Sequence, residues 1–206
     1  MTALSGERGD DKGGGALLRV LIADDELILG YTMRGQLEQR GVDVVGIATN
    51  GVDAFARCRE LRPDVVLMDV RMPETDGIEA TRLIMQQCPT CVVIVTAFAD
   101  QETRARADAV GAMGFLSKPV QATGVLEAVP RARARFAEFL AIRAASRDLE
   151  EALQTRAVVE EAERLLVGNG IAPELVFQVL RESAEGAGVP LRAMAESVIA
   201  RGTCPG

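Results

Sequence analysis

The chain has 206 residues and a formal net charge of −7 at pH 7, and 48% of its residues are hydrophobic. This length and composition suit one full domain with a smaller one beside it. No stretch approaches the roughly 20 apolar residues of a membrane helix, and no apolar secretion signal is present, so we expect a cytoplasmic protein without membrane contact. The absence of histidine excludes histidine-dependent catalysis within the chain. Residues 1–16 are rich in glycine and charge, and we expect them to form a disordered tail.

Short apolar runs alternate with helical patterns in the first part of the chain. The runs predict strands at 19–23, 42–48, 65–69, 91–96 and 113–116. Strands without polar alternation are typical of a parallel sheet that helices cover on both faces. The first helix has apolar residues at helical spacing: Leu27, Leu29, Met33 and Leu37. We expect the helix to bury these residues, and the whole pattern predicts a doubly wound α/β domain with a five-stranded parallel sheet.

Polar side chains stand at the carboxyl ends of four predicted strands. Asp24 and Asp25 follow the first strand and Asp69 ends the third, while Thr96 ends the fourth and Lys118 follows the fifth. The carboxyl ends of parallel strands meet at one edge of a sheet, where the chemistry of such folds gathers. Three carboxylates there favour a hard divalent cation such as Mg²⁺. A lysine and a hydroxyl nearby suit a transferred phosphoryl group, with Asp69 as its nucleophilic acceptor.

Four short sequence motifs around these positions resemble those of the receiver domain of two-component response regulators. They are Asp24-Asp25-Glu26, Met68 to Gly77, Thr96-Ala97-Phe98 and Phe115 to Pro119. Their order, each motif at or after the end of an apolar run, carries the resemblance over about half of the chain. It implies a flavodoxin-like receiver domain at 17–125 and phosphorylation of Asp69 by a sensor histidine kinase.

The same resemblance implies roles for individual residues. The implied Mg²⁺ ligands are three carboxylates and one backbone oxygen: Asp24, Asp25, Asp69 and the carbonyl of Arg71. Thr96 and Phe115 would form the switch that responds to phosphorylation. The peptide bond before Pro119 would be cis.

A long helix is predicted after the receiver-like region. Residues 125–166 contain no glycine and one proline, Pro130, and they are rich in residues that favour helix. Within the predicted linker at 126–152 and just beyond it, five residues follow alternating three- and four-residue steps: Phe139, Ile142, Ser146, Leu149 and Leu153. This seam has the spacing of a coiled coil. Either it pairs two copies of the chain, giving a phosphorylation-dependent homodimer, or it packs against its own chain.

Residues 153–201 predict a small three-helix unit. Gly168-Asn169-Gly170 ends the long helix, Pro173 begins a second, and the segment Gly186 to Pro190 separates it from a third. We expect the core of this unit to include Leu165 and Phe177, which leaves no exposed aromatic ring to stack on a nucleic acid.

The tail resembles the ANTAR module, an RNA-binding output domain of response regulators that act as transcription antiterminators. The residues that carry the resemblance lie on all three helices: Arg156, Val159, Glu160, Ala162, Leu165 and Leu166, then Phe177, Leu180, Arg181 and Ala184, then Leu191, Ala195 and Val198. The resemblance implies that an RNA hairpin is the partner of this domain.

One position departs from the ANTAR pattern in a way that affects charge. Where the family usually has Ala-Lys-Gly, this chain has Ala162-Glu163-Arg164, and residues 147–206 carry six arginines against ten acidic residues, a net charge of −4. Phosphate neutralisation supplies much of the affinity for nucleic acids, so this balance is unfavourable. The candidate phosphate contacts are Arg156, Arg164 and Arg181. Arg164 either substitutes for the missing lysine or pairs with Glu160 one helical turn away.

Two classes of output therefore remain open for a protein that we expect to be a regulator and not an enzyme. In the first, the tail binds RNA hairpins and prevents transcription termination. In the second, the tail binds no RNA and docks another signalling protein. DNA binding is disfavoured because the last helices lack a basic recognition helix and offer only Arg192 and Arg201.

Overall fold

The computed structural model describes residues 17–203, so the tail expected at 1–16 lies outside the described residues. The chain divides into two compact units, one ending at Glu138 and the other beginning at Phe139. Each is described by itself below. Within residues 17–203, no helix is both long and apolar enough to cross a membrane.

The first unit is built on a five-stranded parallel sheet with the strand order β2-β1-β3-β4-β5. The strands are β1 (Arg19–Ala23), β2 (Asp43–Ala48), β3 (Val65–Met68), β4 (Cys91–Thr96) and β5 (Gly114–Ser117). The helices between them are α1 (Leu27–Glu38), α2 (Gly51–Leu61), α3 (Gly77–Gln87) and α4 (Gln101–Ala109). Every residue of β3 and β4 is buried, as expected for strands covered on both faces. The predicted doubly wound α/β fold is confirmed.

Helix α1 meets the sheet differently from the prediction. It buries Gly30 and Leu37, whereas Leu27 and Leu29 are 48% and 43% exposed. A Cβ atom added at Gly30 would lie 3.2 Å from the Cγ2 of Ile47, so the helix approaches the sheet at its glycine. The apolar pattern did not include Gly30, since glycine has no side chain to mark the buried face. The expected burial of Leu27 and Leu29 is wrong for that reason.

Helix α5 (Ala122–Gly168) runs without interruption for 47 residues and includes Pro130. This confirms the predicted long helix. Its residues up to Glu138 belong to the first unit and those from Phe139 to the second.

The second unit consists of the rest of α5, α6 (Pro173–Ala187) and α7 (Leu191–Arg201). Its buried core comprises nine residues from the three helices: Val159, Ala162, Leu166, Val176, Leu180, Ala184, Met194, Ala195 and Val198. Helix α6 ends at Gly188, whose φ of 66° is in the left-handed region that favours glycine. The predicted three-helix unit is confirmed.

Two residues expected in that core are exposed. Phe177 is 50% exposed and Leu165 is 39% exposed. The buried residues of α6 recur every four positions, at Val176, Leu180 and Ala184. Phe177 comes one residue after Val176, which rotates it by roughly 100° around the helix and away from the core. The expectation that the tail has no exposed aromatic ring is therefore wrong.

Candidate functional site

Three carboxylates meet at the carboxyl ends of β1 and β3. One oxygen from each of Asp24, Asp25 and Asp69 lies within 4.8 Å of the other two. The backbone N–H of Asp69 donates to the carbonyl of Ala23 at 2.8 Å, which aligns the ends of the two strands. Asp24 and Asp69 are buried and Asp25 is exposed. The structure thus brings together the three carboxylates that the sequence placed at one sheet edge.

Lys118 bridges two of these carboxylates. Its Nζ donates to Asp24 Oδ2 at 2.8 Å and to Asp69 Oδ2 at 2.6 Å. Its backbone N–H donates to the carbonyl of Thr96 at 2.8 Å. The pairing of β4 and β5 therefore continues to Lys118 and fixes its position at the end of the sheet. The peptide bond between Lys118 and Pro119 is cis, as the receiver resemblance implied.

The electrostatic surroundings of Lys118 keep it positively charged. Burial lowers the pKa of its ammonium group, but the hydrogen bonds to Asp24 and Asp69 and their negative charges outweigh that effect. The net result is a pKa raised above the ordinary value of 10.5. A group that is positively charged at neutral pH therefore lies against the Asp69 carboxylate, where it can balance negative charge on an incoming anion.

An acidic pocket of about 180 Å³ adjoins two of the three carboxylates, Asp25 and Asp69. Its lining consists of Asp25, Glu26, Asp69, Arg71, Thr96, Ala97, Phe98 and Lys118. Thr96 is fully buried, and its Oγ1 accepts from the backbone N–H of Phe98 at 3.3 Å. The volume of the pocket suits a small group such as a phosphoryl with its associated cation.

Two arginine–aromatic contacts lie in or near the acidic pocket, and the sequence pattern predicts neither of them. The Arg71 guanidinium carbon lies 3.2 Å from the centroid of the Phe98 ring, and both residues line the acidic pocket. The Arg104 guanidinium carbon lies 4.4 Å from the centroid of Phe115. Phe115 is half-buried and is not among the lining residues of the acidic pocket. Of the two residues assigned to the switch, only Thr96 faces the pocket.

The loop after Asp69 depends on a glycine at its end. The backbone N–H of Gly77 donates to the carbonyl of Val70 at 2.9 Å. A Cβ atom added at Gly77 would lie 1.8 Å from the carbonyl oxygen of Asp69, a separation that the backbone cannot tolerate. Gly77 is thus required for close approach, and this tight closure holds the loop that carries Asp69 and Arg71.

The donor set fits a magnesium ion. All three carboxylates offer hard oxygen ligands within one cluster, which is the ligand chemistry that Mg²⁺ prefers. The backbone N–H of Arg71 donates to Asp69 Oδ1 at 3.3 Å, so the main chain at residue 71 lies beside the Asp69 carboxylate.

The three arginines expected to contact RNA lie on exposed helix surfaces in the second unit. Arg156 pairs with Glu160 at 2.7 Å, and the side chain of Arg156 is 78% exposed. Arg181 pairs with Glu185 at 3.7 Å. Arg164 donates from Nε to the backbone carbonyl of Glu160 at 3.3 Å, so its partner is the main chain of Glu160 and not the carboxylate.

A groove of about 520 Å³ lies between α5 and α6. We call it the α5/α6 groove, and its lining is Glu160, Glu163, Arg164, Val167, Pro173 and Val176. The two residues that replace the usual Lys-Gly of the family, Glu163 and Arg164, therefore lie in the same groove. Arg156 and Arg181 are not among its lining residues.

Comparison with known protein families finds one match in each part of the chain. The family model of the response regulator receiver domain matches residues 20–130, and the ANTAR domain model matches residues 147–199. The chain belongs to the response regulators, with a receiver domain followed by an ANTAR domain. It is a phosphorylation-controlled regulator whose output domain is of the RNA-binding ANTAR class.

Two known proteins and one crystal structure are similar to this chain over different parts of its length. The transcriptional regulatory protein PdtaR of Mycobacterium tuberculosis is 34% identical over 182 residues, covering 88% of this chain and 89% of that protein. The chemotaxis protein CheY of Thermotoga maritima is 39% identical over 112 residues, which are 54% of this chain and 93% of CheY. The crystal structure of the response regulator domain of Thermotoga maritima CheB has 30% identity and a TM-score of 0.53, covering 59% of this chain and 98% of that domain.

Proposed function

We propose that a sensor histidine kinase phosphorylates Asp69 and that the phosphorylated chain acts in the cytoplasm as a transcription antiterminator that binds RNA hairpins. The observation that carries the first step is the acidic pocket, in which Asp69 is held between Lys118 and the main chain of Arg71. The match to the ANTAR domain at 147–199 supports the second step.

In the phosphorylation step, one carboxylate oxygen of Asp69 attacks the phosphorus atom of the donor, and the bond from phosphorus to the leaving group breaks. Lys118 balances the charge of the transferred group, because its raised pKa keeps it protonated. When bound by Asp24, Asp25, Asp69 and the Arg71 carbonyl, Mg²⁺ would supply further positive charge for the phosphoryl oxygens.

The switch uses Thr96 and Phe115. A phosphoryl group can change the protein only through a group that interacts with it in one state and not in the other. The Thr96 hydroxyl, which lines the acidic pocket, moves to a phosphoryl oxygen, and Phe115 turns inward as space becomes available. That turn requires Phe115 to leave the Arg104 guanidinium.

Phosphorylation then favours a homodimer through the seam on α5. Three apolar residues of the seam are strongly exposed: Ile142 at 70%, Leu149 at 61% and Leu153 at 58%. Large apolar side chains at coiled-coil spacing are stabilised when a second helix covers them. The exposure supports pairing of two chains over packing of the seam against its own chain.

RNA binding is the output that the comparisons favour over protein docking, because the ANTAR match and the likeness to PdtaR extend through the tail. Arg156, Arg164 and Arg181 contact RNA phosphates, and the hairpin is recognised through its shape and its single-stranded loop. No described observation favours DNA.

Filter binding with RNA hairpins, and with a duplex DNA of equal length as a control, tests this output. The full-length protein is first incubated with acetyl phosphate and Mg²⁺. The proposal predicts retention of RNA and not of DNA. Retention of DNA alone, or of neither nucleic acid at low salt, would contradict the antiterminator function and leave protein docking as the better account.

A further inference from the structure

The second unit has an exposed aromatic ring to which the proposed function gives no role. Phe177 is the sole aromatic residue between positions 140 and 203 of the sequence. It is 50% exposed, while its neighbour Val176 is only 2% exposed and belongs to the core. The core of α6 is formed by Val176, Leu180 and Ala184, so the fold does not require a large ring at position 177.

Phe177 lies on a face of α6 that also carries a proline one turn before it and an arginine one turn after it. Pro173, Phe177 and Arg181 recur every four residues, so they follow one another along the helix at steps of roughly 6 Å. Pro173 also lines the α5/α6 groove, which contains Arg164. Arg181 therefore lies one turn beyond Phe177 along α6, while Arg164 lies in the groove that Pro173, one turn before Phe177, also lines.

We infer that Phe177 stacks on an unpaired base of the RNA hairpin loop, while Arg164 and Arg181 contact the phosphates on either side of that base. The inference rests on the proposed RNA-binding function and names the residue that recognises the loop. Flat aromatic rings bind unpaired bases by stacking, and loops are where RNA presents such bases.

The net charge of this unit favours such a contact. Residues 147–206 carry a net charge of −4, and both Arg156 and Arg181 already have carboxylate partners one turn away. Attraction to phosphate is therefore weak in this unit compared with a typical basic RNA-binding surface. Stacking is independent of net charge, so an exposed ring supplies affinity that the arginines alone do not.

The test compares Phe177→Ala with Leu175→Ala in the full-length protein, incubated with acetyl phosphate and Mg²⁺ as in the filter-binding experiment. Leu175 is a matched control, because it lies on the same helix and is also 50% exposed. The probe is a set of RNA hairpins with one stem and randomised loops, from which the wild-type protein selects a binding sequence. The selected hairpin is then made with the fluorescent base 2-aminopurine at each loop position in turn. Thermal melting checks that each variant is folded.

We expect Phe177→Ala to weaken binding by about tenfold or more, Leu175→Ala by less than about twofold, and Phe177→Trp to restore affinity. The slope of affinity against salt should stay unchanged in Phe177→Ala, since no phosphate contact is lost. One loop position should lose 2-aminopurine fluorescence with the wild type and not with Phe177→Ala.

Three outcomes would overturn the inference, and they differ in what else they overturn. If the wild type selects a hairpin and Phe177→Ala binds it as well as Leu175→Ala does, stacking is wrong while RNA binding stands. If the wild type selects no hairpin from the set, the RNA-binding function fails and stacking fails with it. A weaker dimer in Phe177→Ala, measured by sedimentation, would assign the ring to contact between two chains and contradict the inference as well.

Discussion

The acidic pocket and the proposed RNA contacts, Arg156, Arg164 and Arg181, hold their charged groups in different ways. Lys118 is 15% exposed and is bonded to Asp24 and Asp69, which lie 94 and 49 residues away in sequence. Arg156 is 78% exposed and pairs with Glu160 on the next turn of its own helix. The sheet therefore positions the groups of the pocket before any ligand arrives, whereas exposed helix arginines adopt their final contacts only with the partner present.

The largest effect is expected at the centre of the pocket. Asp69→Asn should abolish labelling by acetyl phosphate in the presence of Mg²⁺, because an amide cannot serve as the phosphoryl acceptor. Mass spectrometry of the intact protein measures the added phosphoryl group. Asp108→Asn, at an exposed position on α4, is the control and should be labelled like the wild type. Equal labelling of Asp69→Asn would show that another residue is the acceptor.

A charge in the seam should disrupt the proposed dimer almost as strongly. Ile142→Asp places a carboxylate where a second helix would bury it, and we expect the dimer to weaken by about 100-fold or more. Sedimentation equilibrium of the phosphorylated protein measures this change, with Ile142→Leu as the apolar control. A dimer of unchanged affinity in Ile142→Asp would mean that the seam does not pair two chains.

Lys118→Met tests how far the pocket depends on its bridging cation. Removing the lysine leaves Asp24 and Asp69 without their shared partner, and we expect a loss on the order of 3 kcal/mol in the free energy of unfolding at pH 7 without Mg²⁺. Urea denaturation measures it.

The pKa of Lys118 also gives this test a pH dependence. Because the pKa is raised in the folded state, the ion pairs stabilise the protein fully below the unfolded pKa near 10.5, and the contribution is lost as pH rises through the folded value. The wild-type stability should therefore approach that of Lys118→Met above this range. A constant difference between the two proteins from pH 8 to pH 11.5 or so would contradict this role.

The smallest effect is expected near the proposed RNA contacts, where Arg156 and Arg181 form only exposed pairs with residues of their own helices. Glu163→Lys changes a carboxylate of the α5/α6 groove into a cation and should tighten hairpin binding by about 1 kcal/mol, roughly fivefold. Glu151→Lys makes the same change in net charge at an exposed position of α5 outside the groove. If both variants tighten binding equally, net charge and not the groove is responsible.

The same contrast explains what could be predicted from sequence. Asp24, Asp69 and Lys118 could be placed together because each follows an apolar run, and the topology of a parallel sheet gathers such positions. The cis bond before Pro119 came from the receiver resemblance and not from local residue preferences. The contact between Arg71 and Phe98 was missed, since nothing in the spacing of the two residues indicates that their loops meet.

The incorrect predictions concern which face of a helix is buried. Helical spacing indicates which residues share a face but not which face is buried when apolar residues are abundant, and this is why the sequence pattern predicts burial of Phe177 and Leu29. Their exposures of 50% and 43% could be found only from the packed structure. Arg164 was likewise an open choice between two partners, and its contact with the Glu160 carbonyl depends on the side-chain conformation.

The central claim is that phosphorylation of Asp69 controls RNA binding by the ANTAR domain. The most direct test measures hairpin affinity for the wild type and Asp69→Asn, each with and without acetyl phosphate, at one salt concentration. We predict that acetyl phosphate tightens binding by the wild type at least tenfold or so, by favouring the dimer, and leaves Asp69→Asn unchanged. Equal hairpin affinity of the wild type in both conditions, with labelling of Asp69 verified, would contradict the account.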